Sequence, residues 1–233
     1  MQTSADKGLA LVIGSGGLGT ALAAQLQADG RHAQVQLLGR RTTPAVDYAD
    51  ENTLAAAAAG IKAQGLELRL LLVATGFLHG ATGQPERSWS QLNAAYLQQV
   101  FLVNTIGPAL VLKHFFPLLP ANGRCVAGFI SAKVGSMGDN ALGGWYGYRA
   151  SKAALNQLVK TASIELARRN RNALCIALHP GTVDTALSQP FAKKGLQVRP
   201  PDEAARDLLY VLNELTPADS GSFVDYQGKK LPW

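Results

Sequence analysis

The chain is short of charge, sulfur and aromatic rings. Only 16% of its 233 residues are Asp, Glu, Lys or Arg, and 7% are Phe, Trp or Tyr. Set against 47% hydrophobic residues, so low a charge content argues against disorder and implies a packed core. Two cysteines are too few for a disulfide scaffold. Cys125 and Cys175 each lie in an apolar, strand-like run, which predicts buried free thiols in a reducing, cytoplasmic setting. The four histidines, His32, His79, His114 and His179, show no metal-ligand spacing, and no Cys-x-x-Cys occurs, so no metal site is expected. No apolar run reads as long enough to span a bilayer, and Met1–Gly8 is too short and polar for a signal peptide; no membrane association is expected. The net charge of +6 permits attraction to phosphates without specifying nucleic acid. The densest basic run, Arg168-Arg169-Asn170-Arg171, closes a helix, where cations meet the negative dipole end, so no nucleic-acid partner is expected either.

Glycine, by contrast, is abundant, with 24 residues. Leu9–Ile13 is a fully apolar strand that runs into Gly14-Ser15-Gly16-Gly17-Leu18-Gly19, then into a helical pattern through about Asp29, closed by Gly30. In that order of strand, loop and helix, glycines let the backbone approach a pyrophosphate whose charge rests on the helix-start amides. Ala33–Leu38 forms the second strand and ends at Gly39-Arg40-Arg41. An acid there favours a free ribose 2′-hydroxyl and arginine favours a 2′-phosphate, so NADP(H) is expected in preference to NAD(H). From Arg41 to Val46-Asp47-Tyr48 there are too few residues for a helical crossover, so the third strand is expected to be truncated or missing. Asp47 either reaches the adenine edge or belongs to a helix-cap region; both readings stay open.

Asp50 or Asn52 can cap an Ala-rich helix through about Gln64, and Leu68–Ala74 is a buried strand ending in Ala74-Thr75-Gly76. The glycine lets the chain pass close to whatever fills the crevice beyond the strand ends. Residues 77–88 read as loop, and helical periodicity runs from Ser90 to about Leu119 with a kink at Gly107-Pro108. Asn104 in its apolar middle is either a hydrogen-bonding post or part of a site. Arg124–Ile130 is a central strand delivering Ser131, followed by a loop from Ala132 to Trp145. A helix to about Asn170 leads to the strand Leu174–Leu178 and then His179-Pro180-Gly181-Thr182-Val183-Asp184-Thr185. The loop onward to Pro200, with Phe191, Lys193 and Lys194, reads as a lid. A helix from Pro201 to about Leu215 and a strand Ser222–Tyr226 complete an α/β chain with a doubly wound parallel sheet. With no repeat or linker, one domain spans 1–233, its dinucleotide-binding half about 1–120 and its catalytic and substrate half about 121–233.

Tyr148 and Lys152 lie four apart on one helix face. Bringing a phenol from ~10 to near neutrality needs roughly 4 kcal/mol in favour of the phenolate. One cation at about 4 Å in an effective dielectric of ~20 supplies about that much. The pair could therefore serve as a general acid for carbonyl reduction.

Taken together, the glycine loop, Val103-Asn104, the strand ending at Ser131, Tyr148-x-x-x-Lys152 and Pro180-Gly181-x-Val183-x-Thr185 resemble the short-chain dehydrogenase/reductase family over nearly the whole chain. Gly135-Ser136 and Gly143-Gly144-Trp145-Tyr146 look most like its C-factor and sniffer-type carbonyl reductases. The resemblance implies an oxidoreductase acting on a small carbonyl or alcohol, with Tyr148 as acid and Lys152 holding the nicotinamide ribose. It also implies Asn104 anchoring a water relay, Thr185 bonding the carboxamide, and pairing into a homodimer or homotetramer. Three departures stand out: the glycine loop is one residue shorter than usual, Ala74 replaces an asparagine, and Ala132 stands where a serine steadies the substrate oxygen. Ser131, in preference to Ser136, is expected to substitute. The alternative is a cofactor-binding sensor or signalling protein with little turnover.

Overall fold

The computed structural model describes residues 8–191 and 198–233. The chain alternates strand and helix: β1 (Leu9–Ile13), α1 (Gly17–Asp29), β2 (Gln34–Leu38), α2 (Glu51–Ala63) and β3 (Leu68–Val73) form its first part. Next come α3 (Ala94–Phe101), α4 (Gly107–Phe115), β4 (Cys125–Ile130), α5 (Tyr146–Arg169) and β5 (Ala173–His179). The last elements are β6 (Thr182–Val183), β7 (Val198–Arg199), α6 (Pro201–Glu214) and β8 (Phe223–Asp225). Six strands form one parallel sheet in the order β2-β1-β3-β4-β5-β8.

The period-2 geometry of strands divides the core. Leu9, Leu11 and Ile13 pack with Leu54 of α2, Val111 and Phe115 of α4, and Leu155 and Val159 of α5. Ala10 and Val12 pack on the other face with Leu22 and Leu26 of α1 and Leu208 and Leu212 of α6. Because both faces are covered, β1 is buried at all five positions, which is why it reads as an unbroken apolar run. Both cysteines are buried and free.

The sheet ends at β2. Where a third strand would continue it, a single parallel bridge joins Gly39 to Ala45, and the Val46 amide donates to the Gly39 carbonyl at 3.0 Å. Asp50 caps α2, its side chain accepting from the Asn52 amide.

Two findings qualify the reading of the sequence. The helix continues through Gly107-Pro108, and its irregular turn lies just before that pair. A π-helical turn, Leu102–Ile106, links α3 to α4. Pro108 has no N–H for the carbonyl four residues back, that of Asn104, and the wider turn accommodates the loss. The resulting continuous helix, Ala94–Leu118, has 25 residues and is by length and composition able to cross a bilayer, contrary to the reading of the sequence. Its Tyr96, Val100, Val111 and Phe115 are buried in the protein. Second, Arg169 does more than meet the dipole end of α5: its guanidinium donates to the carbonyls of Phe116, Pro117 and Leu119, closing the chain after α4. Lys193 and Lys194 of the expected lid lie outside the described residues. Its flanks are built into the fold, Phe191 ending a short 3-10 turn and β7 pairing in parallel with β6.

Candidate active site

The carboxyl ends of β1, β3, β4 and β5 bring the expected residues to one edge of the sheet. At the end of β1 the glycines have different tasks. Gly14 has φ 120°, and a Cβ on it would lie 2.7 Å from the Ala74 carbonyl carbon. A Cβ on Gly19 would meet the Gly14 oxygen at 1.7 Å. These two close the strand–helix joint against Ala74-Thr75 and have no alternative residue. Gly16 is different: a Cβ there would meet nothing within 4 Å. Gly16 also caps α1 with no side-chain bond, and the first turn has no acid, so the amides at Gly17, Leu18 and Gly19 face an uncrowded approach. That donor set fits a pyrophosphate. Ser15 lies over Gly39, whose Cβ would come within 2.3 Å of the Ser15 hydroxyl oxygen. This places the end of β2, with exposed Arg40 and Arg41, beside the loop. Asp47 is half-buried, and its carboxylate accepts the Ala49 amide at 3.0 Å.

Beyond β3, the Thr75 hydroxyl pairs with the buried Tyr48 hydroxyl at 3.1 Å, and Gly76 lies near Asn104 and Leu187. Asn104, fully buried in the π-helical turn, accepts the Phe77 amide at 2.8 Å and donates to the Phe77 carbonyl at 2.8 Å and the Ser151 hydroxyl at 3.1 Å. The asparagine is thus a post fixing the β3 exit to α5. Ser151 in turn donates to the Tyr148 carbonyl at 2.8 Å. After β5, Thr185 meets the glycine loop, a Cβ on Gly17 falling 2.9 Å from its methyl. Pro180 is buried, Gly181 turns with φ 77°, and Val183 is buried in β6.

Tyr148 and Lys152 share the buried face of α5, 7% and 2% exposed. The Lys152 Nζ lies 5.9 Å from the centre of the Tyr148 ring and donates to the Ile130 carbonyl at 2.9 Å. The protein's own atoms do not lower the phenol as the sequence arithmetic allowed. Burial pushes the Tyr148 phenol up and the Lys152 ammonium down to about 7. Desolvation penalises both charged forms, and Lys152 directs its hydrogen bond at a carbonyl instead of the phenol.

Neither candidate serine is turned to Tyr148. The buried Ser131 hydroxyl donates to Asn156 Oδ1 at 2.6 Å, inside the sheet–helix interface. Ser136 donates to the Trp233 carbonyl at 3.3 Å and accepts the Asp139 amide at 3.1 Å. The expectation that Ser131 replaces the serine absent at Ala132 is corrected accordingly: one residue earlier on a strand is the opposite face.

Reading the sequence missed several neighbours. Trp145 packs edge-on against Tyr148 at 6.1 Å and against Phe191 at 5.3 Å, and Phe191 packs against His79 at 5.4 Å, an aromatic wall beside the phenol. Arg149 donates to the carbonyls of Val134, Gly143 and Gly144, fastening the loop after β4. Glu86, 1% exposed, touches the start of α5. One sequence signal pointed to such a partner: Trp145 cannot cap a helix, so the first amides need an acceptor from elsewhere.

The family model described as short chain dehydrogenase matches residues 8–195. C-signal of Myxococcus xanthus is 35% identical over 139 residues, covering 60% of this chain and 80% of that protein. The 1-hydroxy-2-glutathionyl-2-methyl-3-butene dehydrogenase of Rhodococcus sp. (strain AD45) is 30% identical over 205 residues, 86% of this chain and 84% of its own. Among solved structures, the NADPH-bound carbonyl reductase from chicken fatty liver superposes with a TM-score of 0.84 at 24% identity, over 97% of this chain and 100% of that one. Sniffer carbonyl reductase of D. melanogaster gives 0.82 at 22% identity, with the same coverage. At those identities the structural likeness speaks for the fold.

Proposed function

The chain belongs to the short-chain dehydrogenase family, and within it we propose an NADP(H)-dependent carbonyl reductase with Tyr148 as general acid. The observation carrying this reading is the buried Tyr148–Lys152 pair at the sheet edge where the glycine loop, Thr185 and Asn104 converge. A phenol that burial keeps protonated is a proton donor at neutral pH, suited to quenching an alkoxide as a carbonyl is reduced. Lys152, near neutrality, lies close enough to answer charge that develops on the phenol oxygen. The cofactor, when bound, supplies the hydride.

The chain's own residues account for the rest. Gly14, Ser15, Gly16, Gly17, Leu18 and Gly19 hold the pyrophosphate, Arg40 and Arg41 a 2′-phosphate, and Asp47 with Ala74, Thr75 and Gly76 borders the adenosine end. Pro180, Gly181, Val183 and Thr185 flank the nicotinamide. With Ser131 and Ser136 committed elsewhere, Tyr148 holds the substrate oxygen without a serine partner. Exposed Ile106 and Ile164 on neighbouring helices support a homodimer or homotetramer, and the free cysteines a cytoplasmic setting.

The test is Tyr148→Phe, assayed by NADPH consumption over a panel of aldehydes, ketones and quinones. Turnover is expected to disappear while NADPH binding persists; unchanged turnover refutes the role. A second reading, a cofactor-binding signalling protein, is favoured by Ala132 and by similarity to a protein named C-signal. NADPH binding with no wild-type turnover across the panel would select it.

A further inference from the structure

Helix α5 starts without the usual devices. Its N-cap, Trp145, has a left-handed backbone with φ 54°, gives no side-chain cap, and is followed by no acid in the first turn. Amides there require acceptors, and one residue far upstream provides them. The Gly147 amide donates to both carboxylate oxygens of Glu86, at 3.1 and 3.3 Å, and the Trp145 amide donates to the Glu86 carbonyl at 2.5 Å. Glu86 is 1% exposed, and among the described residues no Lys, Arg or His forms an ion pair with it. Its surroundings include apolar groups: a Cβ on Gly147 would lie 2.9 Å from Leu97 Cδ2, 3.1 Å from Glu86 Oε1 and 3.3 Å from Tyr96 Cε1. A buried carboxylate without a cation is costly, and the positive end of a 24-residue helix is what offsets it here. Only a residue without a side chain fits between carboxylate and helix. Tyr148 comes next in the chain.

We propose that Glu86 is a positioning residue for the proton donor: by holding the Gly147 amide it fixes the turn from which the Tyr148 hydroxyl is presented. The inference rests on the reading of Tyr148 as general acid. It assigns a task to the one acid in a stretch, 77–88, that the sequence reads only as loop.

Two conservative variants separate reach from charge. Glu86→Asp keeps the charge and withdraws the oxygens by one methylene; Glu86→Gln keeps the reach and removes the charge. With NADPH and 4-nitrobenzaldehyde, Glu86→Asp should lower kcat by on the order of 10²-fold with KM for NADPH unchanged, the effect of a small misplacement. Glu86→Gln should retain most of kcat. Amide exchange over residues 143–152, read by mass spectrometry without cofactor, should accelerate in the Asp variant and not in the Gln variant. Full activity and protection in Glu86→Asp overturns the proposal. So do equal losses in both variants, which identify a charge effect, or a loss confined to KM for NADPH. Tyr148→Phe run alongside separates the two readings. If it is inactive while Glu86→Asp is fully active, Glu86 alone loses its role. If it is fully active, the acid assignment and the positioning role fall together.

Discussion

Replacing Lys152 by Met should make the protein more stable near neutral pH while removing its turnover. Burial brings the Lys152 ammonium from 10.5 down to about 7. Between those values the unfolded chain binds a proton that the folded chain does not, so stability rises with pH through that window and is lost as pH falls towards 7. At pH 6 the folded state bears the whole penalty, roughly 5 kcal/mol as an upper bound. Met fills nearly the same volume without charge, but leaves the Ile130 carbonyl without the donor it now has at 2.9 Å, a loss of about 1–2 kcal/mol. The net gain at pH 6 is therefore ~3 kcal/mol, or about 6–12 °C in Tm for a domain of this size. The gain should shrink to nearly nothing by about pH 9.5, still below the range near ~10 where an exposed tyrosine begins to ionise. Urea titrations of both proteins at pH 6, 7.5 and 9.5 measure it. A Lys152→Met protein less stable than wild type at pH 6, or a difference independent of pH, would refute the reasoning.

Other outcomes follow from the same geometry. Gly19→Ala should unfold or severely destabilise the chain, because its Cβ would stand 1.7 Å from the Gly14 oxygen, whereas Gly16→Ala should leave Tm unchanged and weaken NADPH binding, read by fluorescence titration. The double change Arg40→Ala with Arg41→Ala should raise the Kd for NADPH by about 10- to 100-fold, some 1–3 kcal/mol for charge-assisted bonds, and leave that for NADH unaltered. Ala132→Ser, at a half-buried extended position before the short turn Lys133–Gly135, should raise kcat by up to ~10²-fold by restoring an oxygen donor; an unchanged kcat would show that the hydroxyl is not needed.

The elements that were legible in the sequence are those governed by local rules. The β1 run, the glycine joint and the amphipathic start at Pro201 appear where the pattern put them, within a residue or two. The absent third strand was legible as arithmetic, since a crossover needs more residues than Arg41 to Val46 contains. What escaped depends on distant atoms. Gly107-Pro108 reads as a kink, yet the chain stays helical past it, with a π-helical turn just before the proline and Val111 and Phe115 buried after it. That the Ser131 hydroxyl is taken up by Asn156 depends on a residue 25 positions further along the chain. The sign of the Tyr148 shift is decided by burial, which no spacing reveals. Glu86 was invisible as an acid among polar neighbours, although the uncapped start at Trp145 announced the need for one.

The shortened sheet has a consequence for association. Because, among the described residues, nothing follows β2 but the bridge at Gly39 and Ala45, Gln34–Leu38 is an edge with main-chain groups open to another chain's strand. The edge is only five residues long, bounded by the Arg31–Asp29 ion pair before it and by Arg40, Arg41 and Pro44 after it, so charge and a proline blunt it. The arginine pair thus guards the edge as well as facing the proposed 2′-phosphate. A redesign that exchanges it for an acid to favour NADH would keep a guard, while one that exchanges it for apolar residues would leave the strand free to template aggregation.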